Sequence, residues 1–172
     1  PDSPQTITVS GTGLVPTMLT PDSITFPVTS KGAPSTPIDV SLTNNGPDIS
    51  IVSITSSLAD YTQTNTCGAT LAAGATCTIS ITFTPSALGV RTGQITITDS
   101  APNSPQIVTL SGTGVVPTTL TPVSITFPAT VQGVASSAVP VAFKNNGSTA
   151  ISIASVVSSG DFSQTNNCGA IL

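Results

Sequence analysis

Three cysteines are the side chains of this 172-residue chain that are best able to form a covalent bond or bind a metal. Cys67 and Cys77 flank a short segment rich in alanine and glycine, and Cys168 begins the same Cys-Gly-Ala motif as Cys67. We expect Cys67 and Cys77 to form a disulfide, which would contribute up to about 2.5 to 3 kcal/mol by the chain-entropy estimate, less any strain. The alternative is a pair of free thiols in a reducing cell. Cys168 is then a half-cystine whose partner falls beyond Leu172.

The residue types that most catalysts need are missing from the sequence. It has no histidine and no glutamate, so the commonest general bases and several metal ligands are absent. Two thiolates without histidine cannot complete a tetrahedral zinc site, and no segment has the dense oxygen ligands of a calcium loop. Serine and threonine are abundant, but no base is present to activate them. We therefore predict no enzyme activity, no catalytic residue, no cofactor and no metal site.

The charge and hydropathy of the chain argue against two classes of partner. Three Lys and Arg residues and seven Asp and Glu residues give a net charge of −4, with a pI near 4.1. Because binding to phosphates needs clustered positive charge, we predict no nucleic-acid partner. No apolar run approaches the roughly 20 residues of a membrane helix, so we predict no membrane insertion in this segment.

An internal repeat organises the chain. The motif Ser-Gly-Thr-Gly at 10–13 recurs at 111–114, and Ser-Ile-Thr-Phe-Pro at 23–27 recurs at 124–128, both at an offset of 101 positions. A fixed period of this length indicates tandem units. We expect the chain to be a window on a longer array. Its parts are the last strand of a preceding repeat (1–13, the first segment), a complete repeat (14–114, the second unit) and the first part of a following, truncated repeat (115–172, the third unit).

Apolar residues fall mostly on every second position of the second unit. Clear examples are Ile79, Ile81 and Phe83, then Ile95 and Ile97, with serine, threonine or glutamine between them. A period of two is typical of half-buried antiparallel strands, and no stretch has the period of a helix. With frequent glycine and proline between the runs, we predict an all-β fold of tandem immunoglobulin-like antiparallel β-sandwiches, about seven strands per unit. The segment 49–54 breaks the alternation, so we expect a β-bulge there or burial of both faces.

Glycine, asparagine and proline mark the turns and the connections. We expect tight hairpins with positive φ at Asn45-Gly46 and at Asn146-Gly147. Between units, the connections are very short, and proline fixes one φ angle in each. We therefore expect the array to be a semi-stiff rod, with linkers marked by Gly13, Pro16, Gly114 and Pro117.

Several motifs of the second unit carry a resemblance to a known family. They are Cys67-Gly68, the strand from Cys77 to Pro85, Gly89, Gly93 to Asp99, Ser104-Pro105-Gln106 and Leu110 to Gly114. With these motifs the chain resembles the bacterial choice-of-anchor D repeats, which are similar to the ASPM/SPD-2/Hydin group of immunoglobulin-like domains. The resemblance implies large secreted or surface-attached bacterial proteins of tandem seven-stranded domains, generally without enzymatic activity. The eukaryotic relatives are cytoplasmic, and the cysteine pair argues against that compartment here.

Three functional hypotheses follow. The leading one is a structural repeat of a secreted or cell-surface stalk or extracellular fibre, in which each unit is a semi-rigid spacer. Its partners are neighbouring copies of the same repeat, in cis and in a fibre, and its location is extracellular or the bacterial cell surface. The alternative is an adhesin module that binds a glycan or surface protein through its loops, although Tyr61 and its counterpart Phe162 fit a shared core position better than a ligand site. An isopeptide crosslink is disfavoured, because neither Lys31 nor Lys144 recurs in the repeat.

Overall fold

The fold is known from a computed structural model that describes residues 3–172. Those residues contain strands and no helix, and so none of them belongs to a helix long and apolar enough to cross a membrane. The strands are β1 (Thr17–Thr20), β2 (Ser23–Thr25), β3 (Thr29–Ser30), β4 (Ile38–Asn44), β5 (Ile49–Ser56), β6 (Tyr61–Asn65), β7 (Thr70–Leu71), β8 (Thr76–Phe83), β9 (Gly89–Asp99), β10 (Gln106–Val115), β11 (Thr118–Thr121) and β12 (Ala142–Asn145).

The second unit is a sandwich of two sheets. One sheet has the order β1-β4-β8-β6, and the other has the order β2-β10-β9-β5-β7, with β3 also paired to β10. The first part of the unit contributes to both sheets, because β1 pairs antiparallel with β4 while β2 and β3 pair parallel with β10. The predicted all-β, immunoglobulin-like sandwich is confirmed. Three of the ten strands in this unit, β2, β3 and β7, have only two or three residues, which leaves seven longer ones.

The core lies between the two sheets and follows the predicted alternation. In β8 the burial pattern alternates along the whole strand, and Ile79, Ile81 and Phe83 are fully buried. From the opposite sheet, β9 contributes the buried Ile95 and Ile97. The expected irregularity in β5 is confirmed as a register shift between Ile51 and Ser53 in its pairing with β9. The extra residue is Val52, which is 70% exposed, and the shift lets Ile54 pack against the core as Ile51 does.

Three aromatic rings form the centre of this core. Phe26, Tyr61 and Phe83 lie with ring centroids 5.0 to 5.7 Å apart, in the range where aromatic pairs attract beyond simple burial. Gly112 of β10 lies against the ring of Phe83, and a Cβ placed on it would be 2.5 Å from Phe83 Cε1. The glycine therefore lets β10 pack closely over the aromatic cluster.

The predicted hairpins at Asn45-Gly46 and Asn146-Gly147 are wrong. β4 and β5 belong to different sheets, so the segment at Asn45-Gly46 crosses the sandwich. Neither Gly46 nor Gly147 has a positive φ. The physical reason is the residue before each pair, because the buried Asn44 side chain accepts a hydrogen bond from Gly46 N at 3.0 Å. Its amide also donates to the carbonyls of Pro47, Leu71 and Ala72.

The prediction that Gly114 lies in a linker is also wrong. β10 continues through Gly114 to Val115, and Gly114 pairs with Gly89 of β9 and with Thr29 of β3. A Cβ on Gly114 would overlap the carbonyl oxygen of Ala87. The glycine is thus required by close packing inside the second unit.

The first segment and the third unit have less regular structure. Residues 3–13 are exposed and form no strand, and Ile7 and Val9 are 88% and 86% exposed. Residues 1 and 2 of the predicted first segment lie outside the described residues. In the third unit, β11 pairs antiparallel with β12, and an isolated bridge joins Ser152 to Ile171. The division of the chain into 1–13, 14–114 and 115–172 stays a prediction.

Candidate functional site: the joint between two units

The predicted disulfide is present in the second unit. Cys67 and Cys77 are bonded, with their Cα atoms 4.8 Å apart, and both residues are buried. The bridge joins the segment after β6 to β8. Asn65 Oδ1 accepts a hydrogen bond from Cys67 N at 3.1 Å, which orients the cysteine toward its partner. Cys168 of the third unit is free and half-buried, and the prediction that its partner lies beyond Leu172 is untested.

The short connection between the second and third units is hydrogen-bonded to residues of both units. We call this region the joint and define it as Val115, Val116 and Pro117 with the turns that bind them. On the side of the second unit, Val115 pairs with Ser30 of β3. The carbonyl of Val115 accepts a hydrogen bond from Lys31 N at 2.8 Å. The end of β10 is therefore fixed to the β3 turn (Ser30 to Gly32).

The third unit binds the remaining two residues of the joint through one asparagine. Asn146 N donates to the carbonyl of Pro117 at 3.0 Å. The Asn146 side-chain amide donates to the carbonyl of Val116 at 3.2 Å. Each of the three joint carbonyls thus accepts a hydrogen bond. A connection whose backbone groups are bonded this way loses most of the freedom of a flexible linker.

The same asparagine arrangement occurs at the start of the second unit. Asn45 N donates to the carbonyl of Pro16 at 2.8 Å, and the Asn45 side chain donates to the carbonyl of Val15 at 3.1 Å. Asn45 and Asn146 are therefore the residues that bind the preceding connection, although their motif predicted hairpins. Among the predicted linker residues, Pro16 and Pro117 lie in these connections and Gly13 lies in the exposed coil before Pro16.

The sequence contained a signal for this site that local turn propensity does not capture. The doublet Asn44-Asn45 recurs as Asn145-Asn146 at the repeat offset. The first asparagine of each doublet binds the turn, since Asn145 Oδ1 accepts a hydrogen bond from Gly147 N at 3.0 Å as Asn44 does from Gly46. The second binds the connection. The two asparagines of each doublet have different hydrogen-bond partners, and these partners are identified only in the tertiary structure.

Polar side chains tie the beginning of the second unit to its end. Gln106 Nε2 donates to Thr17 Oγ1 at 2.6 Å, and Asn103 Nδ2 donates to the carbonyl of Thr17 at 2.9 Å. Thr17 is 2% exposed and Gln106 is 7% exposed. The buried hydrogen bond between Gln106 and Thr17 is shielded from water, so it helps to keep the two ends of the unit in one geometry.

One ion pair with an adjacent tyrosine lies at the edge of the core. Arg91 Nε is 2.7 Å from Asp60 Oδ2, and the Tyr61 hydroxyl donates to the carbonyl of Arg91 at 2.7 Å. Burial alone would raise the pKa of Asp60, but hydrogen bonds from Arg91 and Ser86 outweigh it and hold the pKa below its ordinary value. Burial, together with the charge of Asp60, raises the pKa of Tyr61 to about 12. Both groups therefore keep one charge state near neutral pH.

Tyr61 and Phe162 occupy equivalent positions, each next to an equivalent phenylalanine ring. Tyr61 lies 5.7 Å from Phe26, and Phe162 lies 5.8 Å from Phe127, which matches Phe26 in the repeat. Phe162 is 63% exposed, however, and it lines an open cleft of about 1320 Å³ in the third unit. In the second unit, β8, β9 and β10 cover the equivalent face.

Among residues 3–172, no three His, Cys, Asp or Glu side chains lie close enough to hold a metal ion. No protein-family model matches the sequence, and no curated protein matches it. Some solved structures are similar in fold. The PapD-like domain 7 (an ASH domain) of human CEP192 has 19% identity and a TM-score of 0.49, over 67% of this chain and 99% of that domain.

Two bacterial structures show a similar degree of likeness. A protein of unknown function from Porphyromonas gingivalis W83 has 13% identity and a TM-score of 0.49, over 56% of this chain and 46% of that one. The VesB protease of Vibrio cholerae has 14% identity and a TM-score of 0.46, over 58% of this chain and 31% of that one. All three matches have sequence identities below 20%.

Proposed function

We propose that this chain is a structural segment of a secreted or cell-surface stalk or fibre, in which β-sandwich units act as semi-rigid spacers. The observation that carries the proposal is the joint, where the carbonyls of Val115, Val116 and Pro117 are each bonded to a folded unit. A spacer must transmit position along its length, which a freely rotating linker cannot do. The function is mechanical, the chain is not an enzyme, and its partners are neighbouring copies of the same repeat.

The Cys67–Cys77 disulfide supports the proposed location. Disulfides persist in oxidising compartments and are rare where thiols are kept reduced. We therefore place the protein outside the cell or on a bacterial surface, in agreement with its resemblance to the choice-of-anchor D repeats. The low content of charged residues fits contacts between units that are made by backbone groups and hydroxyls.

The experiment measures the order of the joint in the full chain. Nitroxides are attached to Thr92→Cys in β9 and Thr121→Cys in β11, both at exposed strand positions, in a Cys168→Ala background. Pulsed electron paramagnetic resonance then gives the distribution of distances between the two units. We expect a single narrow distribution. A broad distribution would contradict the spacer function.

A matched pair of variants identifies the source of that order. Asn146→Ala removes the side-chain hydrogen bond to Val116 and should broaden the distribution. Asn45→Ala removes the equivalent bond to Val15, which lies at the start of the second unit and away from the joint, and should leave the distribution unchanged. Electron microscopy of the native material supplies the second test, since isolated compact monomers without a stalk or fibre would contradict the proposal.

A further inference from the structure

Two equivalent glycines occupy turns that do not need glycine for their backbone shape. Gly46 N and Gly147 N each donate to the asparagine two residues before, both at 3.0 Å. Neither glycine has a positive φ, so another amino acid could adopt the same backbone conformation. The reason for glycine must therefore be sought in the space around each turn.

At Gly147 the space is taken by the preceding unit. A Cβ placed there would overlap Ser30 Oγ and would lie 3.4 Å from Ser30 Cβ. Ser30 belongs to β3 of the second unit, whereas Gly147 belongs to the third. The contact therefore crosses the joint, and it joins the β3 turn to the Asn146-Gly147 turn.

At Gly46 the same space is open. The nearest atoms to a Cβ there are Asn44 Oδ1 at 3.6 Å and the Pro16 carbonyl oxygen at 4.0 Å, which are ordinary contacts within its own turn and connection. Nothing in the second unit explains a glycine at this position. Among the described residues, Ser30 of the second unit lies against the Gly147 turn, whereas only Asn44 and Pro16 lie near a Cβ at Gly46.

We propose that the Asn45-Gly46 turn is a docking surface for the β3 turn of a preceding copy of the same repeat in cis. The Ser30–Gly147 contact shows the geometry of such a docked pair, and position 46 is glycine because the preceding copy occupies the place of its Cβ. The shape of the turn, rather than charge, provides the fit. This inference rests on the proposed function, because it assumes that units follow one another through equivalent joints.

The test begins in the full chain with the same two nitroxides and a matched pair of substitutions. Gly147→Val places two methyl groups against Ser30 and should broaden the distance distribution by about twofold or shift its mean, because overpacking displaces its neighbours. Gly46→Val meets open space and should leave the distribution as in the unsubstituted chain. Equal behaviour of the two variants would overturn the inference.

A smaller substitution guards against misfolding of the third unit. Gly147→Ala should have a weaker effect than Gly147→Val, since the Ser30 hydroxyl can rotate away while Ser30 Cβ stays at 3.4 Å. Adding Ser30→Gly should restore the original distribution. Failure of this rescue would mean that the Ser30 contact does not set the joint.

The docking surface itself is tested in a chain that carries one more unit. A copy of residues 14–103 is joined ahead of Ser3, so that residues 3–13 complete the added unit through the repeat. With nitroxides on the added and second units, Gly46→Val should now broaden the distribution about twofold as Gly147→Val does in the original chain. Gly46→Val could instead leave the distance distribution unchanged while the unsubstituted extended chain gives a narrow one. That result would overturn the docking surface and leave the spacer function intact. A broad distribution in the unsubstituted chain would overturn the spacer function itself.

Discussion

The second and third units share a sequence pattern over their first halves and yet differ sharply in burial. Val40 of β4 is fully buried, whereas its counterpart Val141 is 43% exposed. The local contacts are nevertheless the same, because the turn at Gly147 reproduces the turn at Gly46 with equal hydrogen-bond lengths. Asn166 also binds Cys168 N as Asn65 binds Cys67 N.

The difference separates contacts between residues close in sequence from burial that depends on strands distant in sequence. Turns and short-range side-chain contacts form in both units, since their partners lie close in sequence. Burial of the apolar face requires β8, which lies between β4 and β6 in the first sheet, and β9 and β10 in the second.

The aromatic position gives the sharpest contrast. Tyr61→Ala removes a ring that is 1% exposed and stacked on Phe83, so we expect it to lower the free energy of unfolding of the second unit by about 3 to 5 kcal/mol. Phe162→Ala removes a ring that is 63% exposed, and should change stability by less than about 0.5 kcal/mol. Urea unfolding followed by circular dichroism measures both. Similar losses for the two variants would show that the third unit has a core of its own.

The cysteines extend the comparison to a covalent bond. Replacing Cys67 and Cys77 by alanine removes a bridge of sequence separation 10, which should destabilise the second unit by about 2.5 to 3 kcal/mol through loop entropy. Cys168→Ala should have no comparable effect, since that thiol is free. Unfolding of the unsubstituted chain with and without reductant checks the result independently of the alanine side chains. A reductant-insensitive transition would contradict the expectation.

Gly112 of β10 and Gly11 of the first segment stand at equivalent positions of the repeat, so substituting them compares these two regions. Gly112→Ala forces a methyl group against the ring of Phe83 and should cost about 1 to 3 kcal/mol through overpacking. Gly11→Ala is the matched control, because no atom lies within 4 Å of a Cβ at that position. Thermal unfolding of the two variants provides the measurement. A control that destabilised the chain as much as Gly112→Ala would mean that residues 3–13 pack on a folded unit.

Much of the second unit was predictable from its sequence. The alternation around Ile79 and Ile81 correctly indicated which side chains face the core, because strand geometry alone fixes that side. The broken alternation at 49–54 correctly located the bulge in β5. The spacing of Cys67 and Cys77 correctly indicated the disulfide, since a short loop brings two cysteines together wherever the strands run.

The joint and the crossing between sheets were not predictable in the same way. A period of two identifies the buried face of a strand without specifying its neighbour, so β4 and β5 resembled a hairpin although they lie in different sheets. The turn between them depends on Asn44, whose amide binds the distant carbonyl of Leu71. Gly114 was predicted to lie in a linker because its packing partner, Ala87, is remote in sequence and local patterns do not reveal that contact. Each error came from a contact between segments that local propensity does not represent.

The ion pair supplies the smallest expected difference between the two units. Asp60→Asn removes the partner of Arg91, and the loss should be about 1 kcal/mol near neutral pH, because the Arg91 side chain is 26% exposed and remains partly hydrated. Asp161→Asn is the matched control, since Asp161 stands at the equivalent position of the repeat and is exposed. It should leave the unfolding transition unchanged.

The pH dependence of the same pair of variants distinguishes an ion pair from simple packing. The folded-state pKa of Asp60 is lowered below its ordinary value. Its contribution to stability is therefore fully present above the unfolded-chain pKa of about 4 and is lost as the pH falls through the folded-state pKa. The stability gap between the unsubstituted chain and Asp60→Asn should therefore be constant from about pH 5 to pH 7 and shrink below about pH 4. Urea unfolding at a series of pH values measures the gap. A gap that persisted undiminished to low pH would mean that Asp60 stabilises the second unit through its shape and its hydrogen-bond geometry, and not through its charge.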